Sequence, residues 1–203
     1  MKKIILLFTF LSFILSSQAQ TCNDTLPITE NFDDSNVVDV CWNVIDGDLD
    51  GYNWYWKQYS DFYGGYKCLT SKSFSASAGI LTPDNWIISY PIDLTSYSNS
   101  ENIEISYKVR GELVGFAHEN YTIYAATGNQ TSDFESSSVK NTEFVDEVGG
   151  EGNFVTRYLD LSSLAGSMVY IAFRHHNSSN QFVINIDDVS VSTSLLGMED
   201  LEI

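Results

Sequence analysis

The 203-residue chain predicts an all-β fold, a jelly-roll β-sandwich of antiparallel strands. Three observations carry that prediction. Several segments alternate apolar and polar residues with the two-residue period of a half-buried strand. Clusters of Gly, Ser, Asn and Asp punctuate them, which is turn chemistry. No helical segment separates the strands, so they pair as neighbours rather than through crossovers.

The elements follow in chain order. Residues 1–20 read as a secretory signal peptide. Lys2 and Lys3 precede an apolar run from Ile4 to Leu15, broken only by Thr9 and Ser12, and Ser17-Gln18-Ala19 is a small-residue cleavage pattern. The run is shorter than the roughly 20 apolar residues a spanning helix needs, so cleavage is expected and no membrane span remains in the mature chain. Residues 21–193 form the domain. Strands are expected over residues 85–94, 101–110, 120–127, 167–176 and 181–192. The second is the clearest: Ile103, Ile105, Tyr107 and Val109 face one way, Glu104, Ser106 and Lys108 the other. Residues 159–165 are the only plausible helical turn. Residues 194–203 read as the start of a linker. In the last strand Phe182, Ile184 and Ile186 share a face, and Asp188 would follow them. Val189 and Val191 then carry the apolar character on the opposite parity. Either a bulge shifts the phase or Asp188 points inward, where a carboxylate needs a partner or a metal.

Composition narrows the function. Asp and Glu number 27 against 10 Lys and Arg, a net charge of −17. Removing a signal that carries two lysines and no acid takes it to −19. That balance excludes nucleic acid, which needs a basic face, and does not suit an anionic membrane. With 43% hydrophobic and 18% charged residues the chain can still bury a core. Of Cys22, Cys41 and Cys68, two should pair in an oxidising compartment. Spacing does not decide between Cys22–Cys41 and Cys41–Cys68.

Part of the acid excess is patterned. Asp46, Asp48 and Asp50 alternate with Gly47 and Leu49 and are followed by Gly51. Alternate carboxylates in a tight loop can converge on calcium (Ca²⁺), a hard cation that takes six to eight oxygens. The spacing matches only the first half of an EF-hand loop, because the twelfth position is Lys57 where a bidentate Glu is required. An Asp/Gly-rich hairpin held by Asx-turns and binding nothing would carry the same letters. Asp33 and Asp34 lie near the mature N-terminus. In a jelly roll the chain ends can meet, so these could share an ion with Asp187 or Asp188. Nothing singles out a catalytic constellation: there is no HExxH, no GxSxG and no phosphate-cradling loop. His175 and His176 are adjacent on a strand and point to opposite faces. Trp42 and Trp86 sit in strand-like runs and read as core. Tyr52, Trp54, Tyr55, Tyr59 and Tyr63 lie in or beside a Gly/Ser/Asp-rich stretch and are the candidate ligand-binding surface, since aromatic faces stack on sugars and anchor protein partners.

These segments together resemble a known family. Cys41-Trp42, the run Ile45 to Gly51 and Trp54 are similar to the opening of the cleaved adhesin domains, found in the haemagglutinin/adhesin regions of gingipain proteases and in secreted Bacteroidetes proteins. The run Leu81 to Ile88 (LTPDNWII), Glu119 to Tyr121, Thr127-Gly128, Asp133-Phe134, Asp160 to Ser162, Val169 to His175 and Ile186 to Val189 continue the resemblance in order. It covers residues 32–191. The family is itself similar to MAM domains of animal receptors. The resemblance implies a jelly-roll sandwich and a non-enzymatic, secreted or cell-surface adhesion module of a Bacteroidetes-type bacterium, often carrying structural calcium. By position it assigns Asp33, Asp34, Asp46, Asp48, Asp50, Asp187 and Asp188 as metal candidates. By analogy with MAM domains it pairs Cys22 with Cys41 and leaves Cys68 free. The expected partner is an extracellular protein or glycan, with further domains of a longer chain possible. Two other readings remain: a glycoside-active enzyme or its accessory carbohydrate-binding domain, and a structural spacer.

Overall fold

The alternation of residues 103–109 is realised in full: Ile103, Ile105, Tyr107 and Val109 are all completely buried. The computed structural model describes residues 22–60 and 64–193. The expected signal peptide (1–20) and linker (194–203) lie outside the described residues. The chain runs β1 (Ile28–Glu30), α1 (Asn36–Cys41), β2 (Trp42–Asp46), β3 (Tyr55–Gln58), β4 (Lys67–Lys72), β5 (Phe74–Ser75), β6 (Gly79–Ile80), β7 (Asp84–Ser89) and β8 (Ile92–Asp93). It continues through β9 (Ile103–Gly111), β10 (Asn120–Ala126), α2 (Thr131–Ser136), β11 (Lys140–Phe144), β12 (Val155–Asp160), β13 (Met168–His176) and β14 (Val183–Thr193).

Two antiparallel sheets face each other. The first has the order β12-β9-β14-β4-β3, with β1 added beside β14. The second has the order β11-β10-β13-β7-β2, with β8 beside β13. A separate hairpin pairs β5 with β6. This is the jelly-roll-type sandwich that the sequence predicts. The main core lies between the sheets and is built from the inward faces, with Tyr107, Tyr121, Phe173, Leu69 and Ile87 fully buried. A smaller cluster lies on the outer face of the second sheet, where Phe134 of α2 covers Trp86 and Tyr124. Gln130 and Asp133 close a capping box at the start of α2.

The phase anomaly of the last strand is a bulge. The β14–β9 register shifts between Asp187 and Ser190, and Asp188 takes a left-handed conformation with φ 45°. The bulge turns Asp188 outward and lets Val189 and Val191 return to the core. Past it, β1 pairs with β14, Glu30 opposite Val189, so the first and last described strands lie side by side.

Short, half-exposed strands were not legible. β2, β3, β11 and β12 lack a strong alternation, and β12 absorbs Leu159 and Asp160, leaving the helical turn only at Ser162–Leu164. Cys22 and Cys41 are bonded, the pairing the resemblance implies, and Cys68 is reduced and buried.

The registers also sort the sandwich into two ends. Cys22 is tied to the start of β2, Asp93 donates its N–H to the Asp24 carbonyl, and Thr193 pairs with Ile103. Both described ends of the chain therefore leave from one end. The other end carries the Asp46–Gly51 loop after β2, the β5–β6 hairpin after β4, the 112–119 loop after β9 and the 177–182 loop before β14.

Candidate functional site

Three carboxylates converge in the loop after β2. One ligand oxygen from each of Asp46, Asp48 and Asp50 lies within 4.8 Å of the others. Among the described residues, no other group of three or more metal-ligating side chains meets that condition. The loop is fixed by local bonds. The Leu49 and Gly51 N–H groups donate to Asp46 at 2.7 and 2.9 Å, and Tyr52 N–H donates to Asp50 at 2.7 Å. Gly51 supplies the left-handed turn with φ 83°. Gly47 donates to the Asp84 carbonyl and stands so close that a Cβ there would meet that oxygen at 2.6 Å. The loop is thereby anchored to β7.

The electrostatics follow from this crowding. Desolvation opposes ionisation at Asp46, but the Gly51 N–H, the Asp48 side chain and the other loop N–H groups outweigh it and hold its carboxyl low. Asp48 has the opposite balance. Desolvation, the hydrogen bond shared with Asp46 and the charge of Asp50 push it up to about 6. The donor set is oxygen only, which fits a hard divalent cation of the calcium type.

The other acidic candidates form a separate group beside the bulge. Asp33 accepts from Lys67 at 3.3 Å and Asp188 from Lys108 at 2.6 Å. Asp34 caps the chain before α1 by accepting the Asn36 N–H. Burial, together with the charges of Asp188 and Asp33, pushes Asp187 up to about 6. Asp33 and Asp187 are thus brought within electrostatic reach, but among the described residues these acids do not converge as those of the Asp46–Asp50 loop do. Glu30 joins this group and had no signal in the sequence. Burial and then the nearby Asp34 charge raise it, against the N–H of Phe32.

The aromatic candidates divide. Tyr52 and Tyr55 remain half-buried on the outer face of the first sheet, directly after the acidic loop, and Lys72 lies over both rings at 5.8 and 4.9 Å. Trp54 and Tyr59 are corrected: they are 3% and 4% exposed and present no binding face. Trp54 turns into the core and donates its indole N–H to the Asn85 carbonyl at 2.9 Å. The Tyr59 hydroxyl donates to Glu112, and its ring packs under the guanidinium of Arg110. Tyr63 lies outside the described residues. Trp42 and Trp86 are core, as expected.

One buried arrangement was not anticipated. Ser71 Oγ lies 2.8 Å from His175 Nδ1, and His175 Nε2 lies 3.0 Å from Glu119 Oε2. That is the order of a nucleophile, a base and an orienting acid. All three side chains are completely buried between the sheets, so no substrate reaches the serine. Asn85 donates to the Ser71 oxygen, and the His175 ring bridges Ser71 to the Glu119 carboxylate. Glu119 also accepts from the Ser73 hydroxyl and the Phe182 N–H. The group is a strut that joins the two sheets. His176 points the other way, to Thr122.

Comparisons with known proteins agree with this fold. The Cleaved Adhesin Domain family matches residues 25–191. Hemagglutinin A of Porphyromonas gingivalis is 32% identical over 186 residues, covering 83% of this chain. Lys-gingipain of the same organism is 30% identical over 182 residues, covering 84%. The chain spans 7% and 10% of the lengths of those two proteins. A crystallised cleaved adhesin domain of Lys-gingipain superposes with TM-score 0.66 at 27% identity, over 83% of this chain and 99% of that domain. A carbohydrate-binding module solved with β-1,4-galactotriose shares the fold at TM-score 0.51 and 8% identity, over 75% of this chain and 88% of that one. The chain belongs to the cleaved adhesin domain family.

Proposed function

We propose that this adhesin domain is a secreted or surface-exposed, non-catalytic binding module whose acidic loop is ordered by calcium. The observation that carries the reading is the convergence of Asp46, Asp48 and Asp50 immediately before Tyr52 and Tyr55. A cation held by the three carboxylates would relieve their mutual repulsion and fix the loop that presents the tyrosines. Tyr52, Tyr55 and Lys72 then form a ledge with two aromatic faces and a positive charge. Such a ledge suits stacking against a sugar ring or an extracellular protein side chain. The Ser71–His175–Glu119 group is closed to substrate by its burial.

Calorimetry on chelator-treated protein tests the metal. Calcium at about 100 times its dissociation constant stabilises by about 2.7 kcal/mol. For a domain of this size that is a rise of about 5–10 °C in Tm. Asp48→Asn should abolish the response while leaving the calcium-free Tm within about 2 °C, since it removes one of three mutually repelling charges. No rise in the parent protein sinks the calcium reading. A glycan array and an extracellular-protein panel, run with the parent and with Tyr55→Ala, test the ledge. Ligands retained in full by Tyr55→Ala would move the binding surface elsewhere.

A further inference from the structure

The loop end of the sandwich, which faces away from both described chain ends, carries an apolar groove. It holds about 260 Å³ and is lined by Phe74, Leu113, Phe116 and Phe182, with Asn180 and Gln181 at its edge. Leu113 and Phe116 are 45% and 48% exposed, and their neighbours Val114 and Ile80 are 66% and 61% exposed. So dense a cluster of exposed large apolar side chains is a mark of an interaction surface. Three of its polar groups are already engaged: the Gln181 side-chain oxygen accepts the His118 N–H, and the Asn180 and Gln181 N–H groups donate to Ser73. A sugar would find few free hydrogen-bonding partners here.

The rim is acidic. Glu151 holds the Gly115 N–H beside Val114, and Asp146 and Glu147 follow from the neighbouring loop. The basic residues of this end are already engaged: Lys57 with Glu112, His118 with Asp146, Arg110 over the Tyr59 ring, Lys72 over the tyrosine rings of the ledge and Arg174 with Asp84, and among the described residues no cation pairs with Glu147 or Glu151. The groove also rests on a fixed floor, because Glu119 ties Ser73 and Phe182 together beneath it.

We infer that this groove docks a protein segment that places apolar side chains between Phe74, Leu113, Phe116 and Phe182 and basic side chains against the acidic rim. Charge complementarity selects that occupant. The same acids repel an anionic bilayer, and the polar poverty of the groove disfavours glycans. The surface is distinct from the Tyr52–Tyr55 ledge and stands whether or not that ledge binds. It lies at the end of the sandwich opposite Cys22 and Thr193, the first and last described residues.

The full chain is tested with defined probes by fluorescence anisotropy: a labelled amphipathic peptide of Leu and Lys, the same peptide with Glu for Lys, and phosphatidylcholine–phosphatidylserine vesicles. The Leu/Lys peptide should bind, more weakly as salt is raised. Leu113→Ser with Phe116→Ser should weaken it by about ten-fold or more, the size of a lost apolar anchor. Glu147→Lys should weaken it by several-fold, and Tyr55→Ala should leave it unchanged. All three variants alter exposed or half-exposed side chains, and unchanged melting curves confirm that they fold. Equal binding of the Glu peptide, full binding by the Leu113/Phe116 variant, or vesicle capture lost in that same variant would each overturn the assignment.

Discussion

Removing the carboxylate of Glu119 should cost more stability than any surface change in this protein. The side chain is completely buried and accepts three hydrogen bonds: from Ser73 Oγ at 2.8 Å, from the Phe182 N–H at 3.1 Å and from His175 Nε2 at 3.0 Å. In Glu119→Ala those three donors stay buried without an acceptor. Each orphaned donor costs about 1–3 kcal/mol, and a cavity is added. Partial relaxation and water entry recover some of this, so the expected loss is about 3–5 kcal/mol. For a chain of this size that lowers Tm by about 6–20 °C. Glu119→Gln keeps one carbonyl acceptor but turns an NH₂ group toward donors, so it should fall between the parent and the alanine variant. Thermal melting followed by circular dichroism measures both. A Glu119→Ala protein that melts within about 2 °C of the parent would refute the strut, because three buried donors cannot lose their acceptor at no cost.

Three further outcomes follow from the same structure. Replacing Cys22 and Cys41 by Ser opens a cross-link between residues 19 apart, which by chain entropy costs about 3 kcal/mol and about 6–12 °C in Tm; a loss under about 3 °C would show that the N-terminal segment is held by packing alone. Burial pushes the Cys68 thiol up to about 12, so a disulfide reagent at pH 8 should label it only on unfolding; rapid labelling of the folded protein would contradict its placement. Burial and then the Arg174 charge lower His176 to about 4, so the folded protein resists the proton that the unfolded chain accepts. Stability is therefore lost as pH falls from about 6.5 to 4, and His176→Gln should gain about 1–2 kcal/mol on the parent across that window, allowing for solvent screening. The raised values of Asp48 and Asp187 act oppositely, adding stability as pH falls, so the difference between parent and variant is the quantity to read.

What the sequence made legible has a physical boundary. Strands buried on one face declare themselves, because each second residue must be apolar: residues 103–109 alternate without exception, and Ile103, Ile105, Tyr107 and Val109 are completely buried. Strands β3 and β11 are short and half-exposed, so no alternation is enforced. Asp46, Asp48 and Asp50 were found because the loop that gathers them is contiguous. Glu119 has no such signal, since it meets Ser73, His175 and Phe182 only once the strands have paired and the sheets have packed. Trp54 and Tyr59 were misplaced for a related reason. The Gly/Ser/Asp-rich letters around them signal a surface loop, but the indole and hydroxyl groups turn inward to acceptors at the Asn85 carbonyl and Glu112.

The strut and the loops above it belong to one mechanical argument. A sandwich whose described chain ends both leave from one end has its remaining loops free at the other, but free loops make poor binding surfaces unless their conformation is set before contact. Here two devices set it. Glu119 fixes Ser73 and Phe182 from below, and through them the β5–β6 hairpin and the 177–182 loop. The Asp46 carboxylate fixes its own loop from within, while Gly47 clamps that loop to Asp84 at the start of β7. The first device spends buried hydrogen bonds and works without any ion. The second gathers three carboxylates whose repulsion a divalent cation would cancel. The apolar groove should accordingly keep its affinity for the Leu/Lys peptide after chelation, whereas binding at the Tyr52–Tyr55 ledge should fall. A groove that loses its affinity on chelation would mean that the two loop systems are coupled, and that the acidic loop, not Glu119, holds this end of the sandwich in shape.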